Sequence, residues 1–125
     1  MIYEQHCIGS SEKGVSLAIA AGTHRFYIHG PVGISWVITG GWASVGVAPT
    51  GADLIVDINK NGTTIFTTQA NRPTIAIGGF DSGRVENMDV TSLADGDYLT
   101  ADIDQVGSTV AGQDLQVFIE IETRF

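Results

Sequence analysis

The chain has 125 residues and a mass of 13.2 kDa, enough for one domain with its own core. Six Lys and Arg stand against 14 Asp and Glu, a net charge of −8, which argues against sequence-independent nucleic-acid binding and against an anionic membrane surface. A single cysteine, Cys7, excludes a disulfide framework within the chain, and no apolar run is long enough for a transmembrane helix.

In chain order, Ile2 to Ile8 has the composition of a strand or an arm, and Ser10-Ser11-Glu12-Lys13-Gly14 that of a short connector. A basic start followed by an apolar run is missing, so the segment does not resemble a signal peptide. Residues 1–13 are expected to form an N-terminal arm that docks through Ile2, Tyr3 and Ile8, with a β-sandwich domain over 14–125. Val15–Ala20 is a candidate strand. His24–Ile28 and Ile34–Val47 are more apolar, and Gly40-Gly41 interrupts the second run, which suggests a bulge or a bend where the strand crosses between sheets. Trp36 and Trp42 lie in this run and are expected in the core or at a subunit interface.

The clearest strand is Ala52–Ile58, where Leu54, Val56 and Ile58 alternate with polar neighbours. Asn59-Lys60-Asn61-Gly62 then predicts a tight hairpin leading into Thr63–Thr68. Shorter strands are expected at Thr74–Gly78 and Arg84–Val90, and one helical turn at Thr91–Ala94. Near the C-terminus, Leu99, Ala101 and Ile103 alternate with Thr100, Asp102 and Asp104, and Leu115, Val117, Ile119 and Ile121 do the same with Gln116, Phe118, Glu120 and Glu122. No segment keeps a 3.6-residue period. The expectation is an all-β, two-sheet antiparallel sandwich, jelly-roll-like, with a short N-terminal arm.

Chemistry-bearing patterns are few. His6, Cys7, His24 and His29 lack zinc-ligand spacing, so no metal is expected. No nucleophile elbow and no dinucleotide-binding glycine motif occur in the right context, so neither catalytic residues nor cofactor are expected. If the last two strands pair, Asp102, Asp104, Glu120 and Glu122 share an outward face, and such a face is first of all solubilising. Trp36, Trp42, Tyr27 and Tyr98 are candidates for a sugar platform. Charged residues are 16% of the chain, where about 25% is usual. That shortfall fits an ordinary Thr-rich β-protein, and fits better a surface covered in large part by sister subunits or a larger assembly.

Three stretches carry a family resemblance: Trp42 to Phe66 (WASVGVAPTGADLIVDINKNGTTIF), Asn71 to Ala76 (NRPTIA) and Leu93 to Ser108 (LADGDYLTADIDQVGS). They resemble a β-sandwich domain of tailed-bacteriophage virion proteins, found in tail-fibre and neck proteins and in small structural proteins. The resemblance spans roughly residues 22–122 and implies a homotrimeric, non-enzymatic virion component. Here the domain fills nearly the whole chain and no fibrous shaft precedes it. That favours a capsid cement (decoration) protein whose partner is the major capsid protein or another virion protein. The alternative is a tail-fibre tip or neck appendage that binds a host glycan. Phe80–Asp89 departs from the Thr/Ser-rich loop of these domains, which makes Phe80 a further candidate for the interface.

Overall fold

Alternating apolar positions build two antiparallel sheets that bury their inner faces against each other. The computed structural model describes residues 2–124. In chain order the strands are β1 (Tyr3–Ser10), β2 (Phe26–Tyr27), β3 (Ser35–Ser44), β4 (Leu54–Lys60), β5 (Thr63–Thr64), β6 (Thr74–Ile75), β7 (Ser92–Leu93), β8 (Tyr98–Gln105) and β9 (Gln116–Arg124). One sheet runs β1-β9-β3-β7 and the other β2-β8-β4-β5, with β6 also on β4. The pairs β1–β9, β2–β8, β3–β7 and β4–β5 nest from the chain ends inward, which is the jelly-roll order. A short 3₁₀ turn, Gln69–Asn71, separates β5 from β6, which are two pieces of one interrupted edge.

The core lies between the sheets. Leu54, Val56 and Ile58 of β4 and Val117, Ile119 and Ile121 of β9 are buried there, as their alternation predicts, with Leu115 just before β9. Asn61 and Gly62 both have positive φ (51° and 86°), so β4 and β5 are joined by a two-residue turn with left-handed backbone at both central positions. β3 pairs with β9 from Ser35↔Arg124 to Ser44↔Gln116, with a register shift between Ile38 and Gly40. This is the bulge that Gly40-Gly41 suggests. β3 nevertheless stays in one sheet and does not cross to the other, because one bulge turns the strand without breaking its ladder with β9.

Several expectations change. Residues 3–10 of the expected arm are an edge strand of the sandwich, paired with β9 from Tyr3↔Glu122 to Ser10↔Gln116. Ile8 is fully buried in the core and is not free to dock, because it continues the inward phase of Glu4 and His6, whose partners Ile121 and Ile119 face the core. Val15–Ala20 makes only single bridges, Ser16↔Gln113 and Ala20↔Ile103, and Arg84–Val90 only Val85↔Gly41. Thr74–Gly78 shortens to β6. In place of the expected helical turn, Ser92 and Leu93 pair with Val37 and Trp36. β8 and β9 do not pair: they lie in opposite sheets. Asp102 and Asp104 are thereby separated from Glu120 and Glu122 by the thickness of the core.

Leu115→Ala should cost about 2–5 kcal/mol of unfolding free energy, the range for truncating a buried Leu. Denaturant titration checks this. A chain beginning at Gly14 exposes the β9 edge and loses Ile8, whose burial alone is worth about 1.5–3 kcal/mol. Such a chain should unfold at markedly lower denaturant than the full chain.

Candidate functional site

The outer face of the β1-β9-β3 sheet collects the most developed side-chain arrangement. Strand pairing places Gln5 against Glu120 and Cys7 against Phe118 on one side, and Gly40 against Glu120 and Trp42 against Phe118 on the other. Trp42 and Phe118 stack with ring centroids 5.8 Å apart and planes 12° apart. Beyond β3, Val85 bridges Gly41 and Asp81 bridges Ser44, so the loop from 81 to 85 extends the sheet edge. From that loop Arg84 reaches back over Gly40. A Cβ on Gly40 would sit 2.6 Å from the guanidinium carbon, so only glycine at this bulge lets the arginine lie across the strand.

Glu120 is the hub of this face. Arg84 Nη2 and Thr39 Oγ1 donate to its Oε1, each at 2.8 Å, and Gln5 Nε2 donates to Oε2 at 3.2 Å. These bonds, Arg84's foremost, hold its pKa at about 2, against an ordinary 4.5. Arg84 also donates to the Thr39 carbonyl at 3.1 Å and faces Glu86 at 3.5 Å. Gln5, Trp42, Asp81 and Arg84 line an open depression of about 270 Å³.

The other candidates are dispersed. Trp36 faces inward at the far end of β3, packs against the core, and its buried Nε1 has no hydrogen-bond partner among the described residues. Tyr27 and Tyr98 do meet, with centroids 5.4 Å apart, and Arg25 lies 4.5 Å from the Tyr98 ring centroid. The four aromatics named from the sequence therefore split: Trp36 and Tyr27 share one depression, Tyr98 adjoins Tyr27, and Trp42 stands on the outer sheet face. Ile2, Tyr3 and Phe80 are exposed. His6 and Cys7 diverge, His6 toward Phe26 at 4.9 Å and Cys7 to the exposed side. Among the described residues, no three His, Cys, Asp or Glu side chains converge on a metal position.

The carboxylates do not form one solvated face. Asp102 accepts from Gly22 N–H at 2.7 Å and Asn59 Nδ2 at 2.7 Å, and Asp104 is bonded to Arg72 at 2.7 Å. Asp57 is buried, and desolvation pushes its pKa up despite bonds from Thr64 and Ile58 N–H. Glu122 is buried too, 3.4 Å from Arg124.

A different feature marks the end of the sandwich where β3 and β8 finish and β4 and β9 begin. Residues 45–52, 75–80 and 106–113 carry no charge, and neither do 15–22. They are knitted by the bridges Ser16↔Gln113, Val47↔Gln113 and Thr50↔Val110, and by Gly78 N–H to the Pro49 carbonyl at 2.8 Å. Val15, Ile77, Phe80 and Val110 stand exposed there. Of the residues that matter on the two surfaces, the sequence reading missed Arg84, Gln5 and Asp81. For Arg84 and Asp81 the only prior signal was the atypical 80–89 loop, and Gln5 had none. No family model and no curated protein matches this chain.

Glu120 carries a pH prediction. Its folded pKa lies below the unfolded value, so its contribution is complete above about pH 4.5 and is lost as pH falls toward about 2. Glu120→Gln should cost about 1–2 kcal/mol at neutral pH, a charged hydrogen-bond contribution reduced by the exposure of Arg84. The difference from the parent should vanish by about pH 2, as followed by urea unfolding across that range.

Proposed function

We propose that this protein is a non-enzymatic structural component of a bacteriophage virion, a homotrimer of the capsid cement type that stabilises the assembled shell. The family reading rests on the resemblance of Trp42–Phe66, Asn71–Ala76 and Leu93–Ser108 to virion β-sandwich domains. The observation that carries the assembly reading is the uncharged loop end bearing Val15, Ile77, Phe80 and Val110. Each copy has a net charge of −8, so copies repel wherever their anionic surfaces approach. This end, whose loops carry no charge of their own and which Asp53, Asp81 and Asp114 border, offers apolar area with less of that repulsion, and this is where copies can associate.

The mechanism is thermodynamic. A protein that binds the assembled shell and not its free subunits shifts assembly by mass action. Three linked copies multiply weak single contacts through effective concentration. The partner on the shell is the major capsid protein or another virion protein. Copy number per particle separates a shell protein from a tail or neck appendage.

Sedimentation or light scattering at micromolar concentration should give a trimer. A single 13.2 kDa species would remove the assembly reading. Phe80→Glu, which adds a charge at the uncharged end, should shift the trimer to monomers while leaving the circular dichroism unchanged.

A further inference from the structure

We propose that the depression between Gln5, Trp42, Asp81 and Arg84 is a binding site for a neutral pyranose sugar. The inference goes beyond the shell reading and does not depend on it.

Sugar recognition needs a flat apolar wall for the ring's C–H face and fixed planar groups for its hydroxyls. Trp42 provides the wall: it is held on the sheet by its stack on Phe118 and is only partly covered. The polar groups come from both sides of it. Gln5 stands on β1, and Asp81 and Arg84 on the loop beyond β3. Each is fixed by at least one bond and has hydrogen-bonding capacity left over. Gln5 uses its Nε2 on Glu120 and keeps Oε1 as an acceptor. Arg84 uses Nη2 on Glu120 and Thr39, and Nε faces Glu86. Its Nη1 has no hydrogen-bond partner among the described residues. Asp81 accepts from Gly83 N–H through Oδ1 at 3.0 Å, and its Oδ2 likewise has none. An acceptor, a donor and a second acceptor therefore surround one aromatic wall, a pattern suited to hydroxyls that both donate and accept.

Charge and size narrow the ligand. Glu120 at 2.8 Å and Glu86 at 3.5 Å offset the arginine, and Asp81 adds a negative charge, so the site disfavours an anion. A neutral sugar is thus favoured over a phosphate or an acidic sugar. The volume, about 270 Å³, lies below the range of drug-sized pockets, about 300–1,000 Å³, and suits one ring. Gly40 belongs to the design, since any side chain there displaces Arg84.

The test is a heteronuclear NMR titration of the full ¹⁵N-labelled chain with glucose, galactose, mannose and N-acetylglucosamine, and with sialic acid as the anionic contrast. At least one neutral sugar should bind with millimolar affinity, shifting the indole signal of Trp42 and the side-chain signals of Gln5 and Arg84. Sialic acid should leave these signals in place. Asp81→Asn and Trp42→Ala should each weaken binding about tenfold or more, the effect of losing one good contact. Asp81 is exposed, so its variant keeps the test decisive if Trp42→Ala fails to fold. No shift with any neutral sugar overturns the proposal. So do shifts confined to Tyr27, Tyr98 and Trp36, and so does affinity unchanged in Asp81→Asn.

Discussion

The pairing of β3 with β9 is the constraint on which the rest of the molecule depends. Nine residue pairs join strands about 80 positions apart in the chain, and these two strands are the central pair of their sheet. Their inner positions, Ile38, Gly41 and Ala43 against Ile121, Ile119 and Val117, form one wall of the core. Their outer positions, Gly40 and Trp42 against Glu120 and Phe118, form the floor of the polar and aromatic face. The bulge at Thr39 keeps both in phase, because one extra residue restores the side-chain alternation that the ladder needs. It also aims Thr39 Oγ1 at Glu120. Pairing at such separation carries a large loop-closure cost, so this fold belongs with the slow, high-contact-order β-proteins.

Without disulfides, the loops are held by aspartates. Eight of the nine accept a backbone N–H: Asp53, Asp57, Asp81, Asp89, Asp95, Asp97, Asp102 and Asp114. The ninth, Asp104, pairs with Arg72. Such charge-assisted bonds are stronger than neutral ones and satisfy amides that no ladder reaches. At Asp89, Asp95 and Asp97 the backbone bonds help hold the pKa below the usual carboxylate range, although at Asp95 the bond with His29 is the larger cause. The acidic balance of the chain is thus largely structural. The same allocation explains the uncharged end: there the loops tie to one another through backbone bridges and need few carboxylates.

β1 shows where alternation misleads. Its inward positions include Glu4 and His6, set 3.8 Å apart near the open edge of the sandwich. A strand with polar residues on its inner face has no legible core side, so the segment resembles an arm. Inward polar residues are also a known guard against edge-to-edge pairing, and here they sit on the edge strand of the sheet. Ile8, next on the same inward face, is the fully buried apolar residue that ties the strand to the core.

The sequence alone determined the fold class, the β4–β5 hairpin and its turn, the bulge in β3, and the inward phase of β4 and β9. Those are local properties, set by side-chain period and by the left-handed backbone that Asn61-Gly62 adopts. It did not determine which strands pair. Consecutive β8 and β9 alternate in the same way, and nothing in period 2 says whether the chain turns back within a sheet or crosses the core between Gln105 and Gln116. That choice separated Glu120 from Asp102 and brought it instead to Arg84, Thr39 and Gln5, three residues from distant parts of the chain. A site assembled across such separations has no spacing to read, so tertiary structure alone decided it.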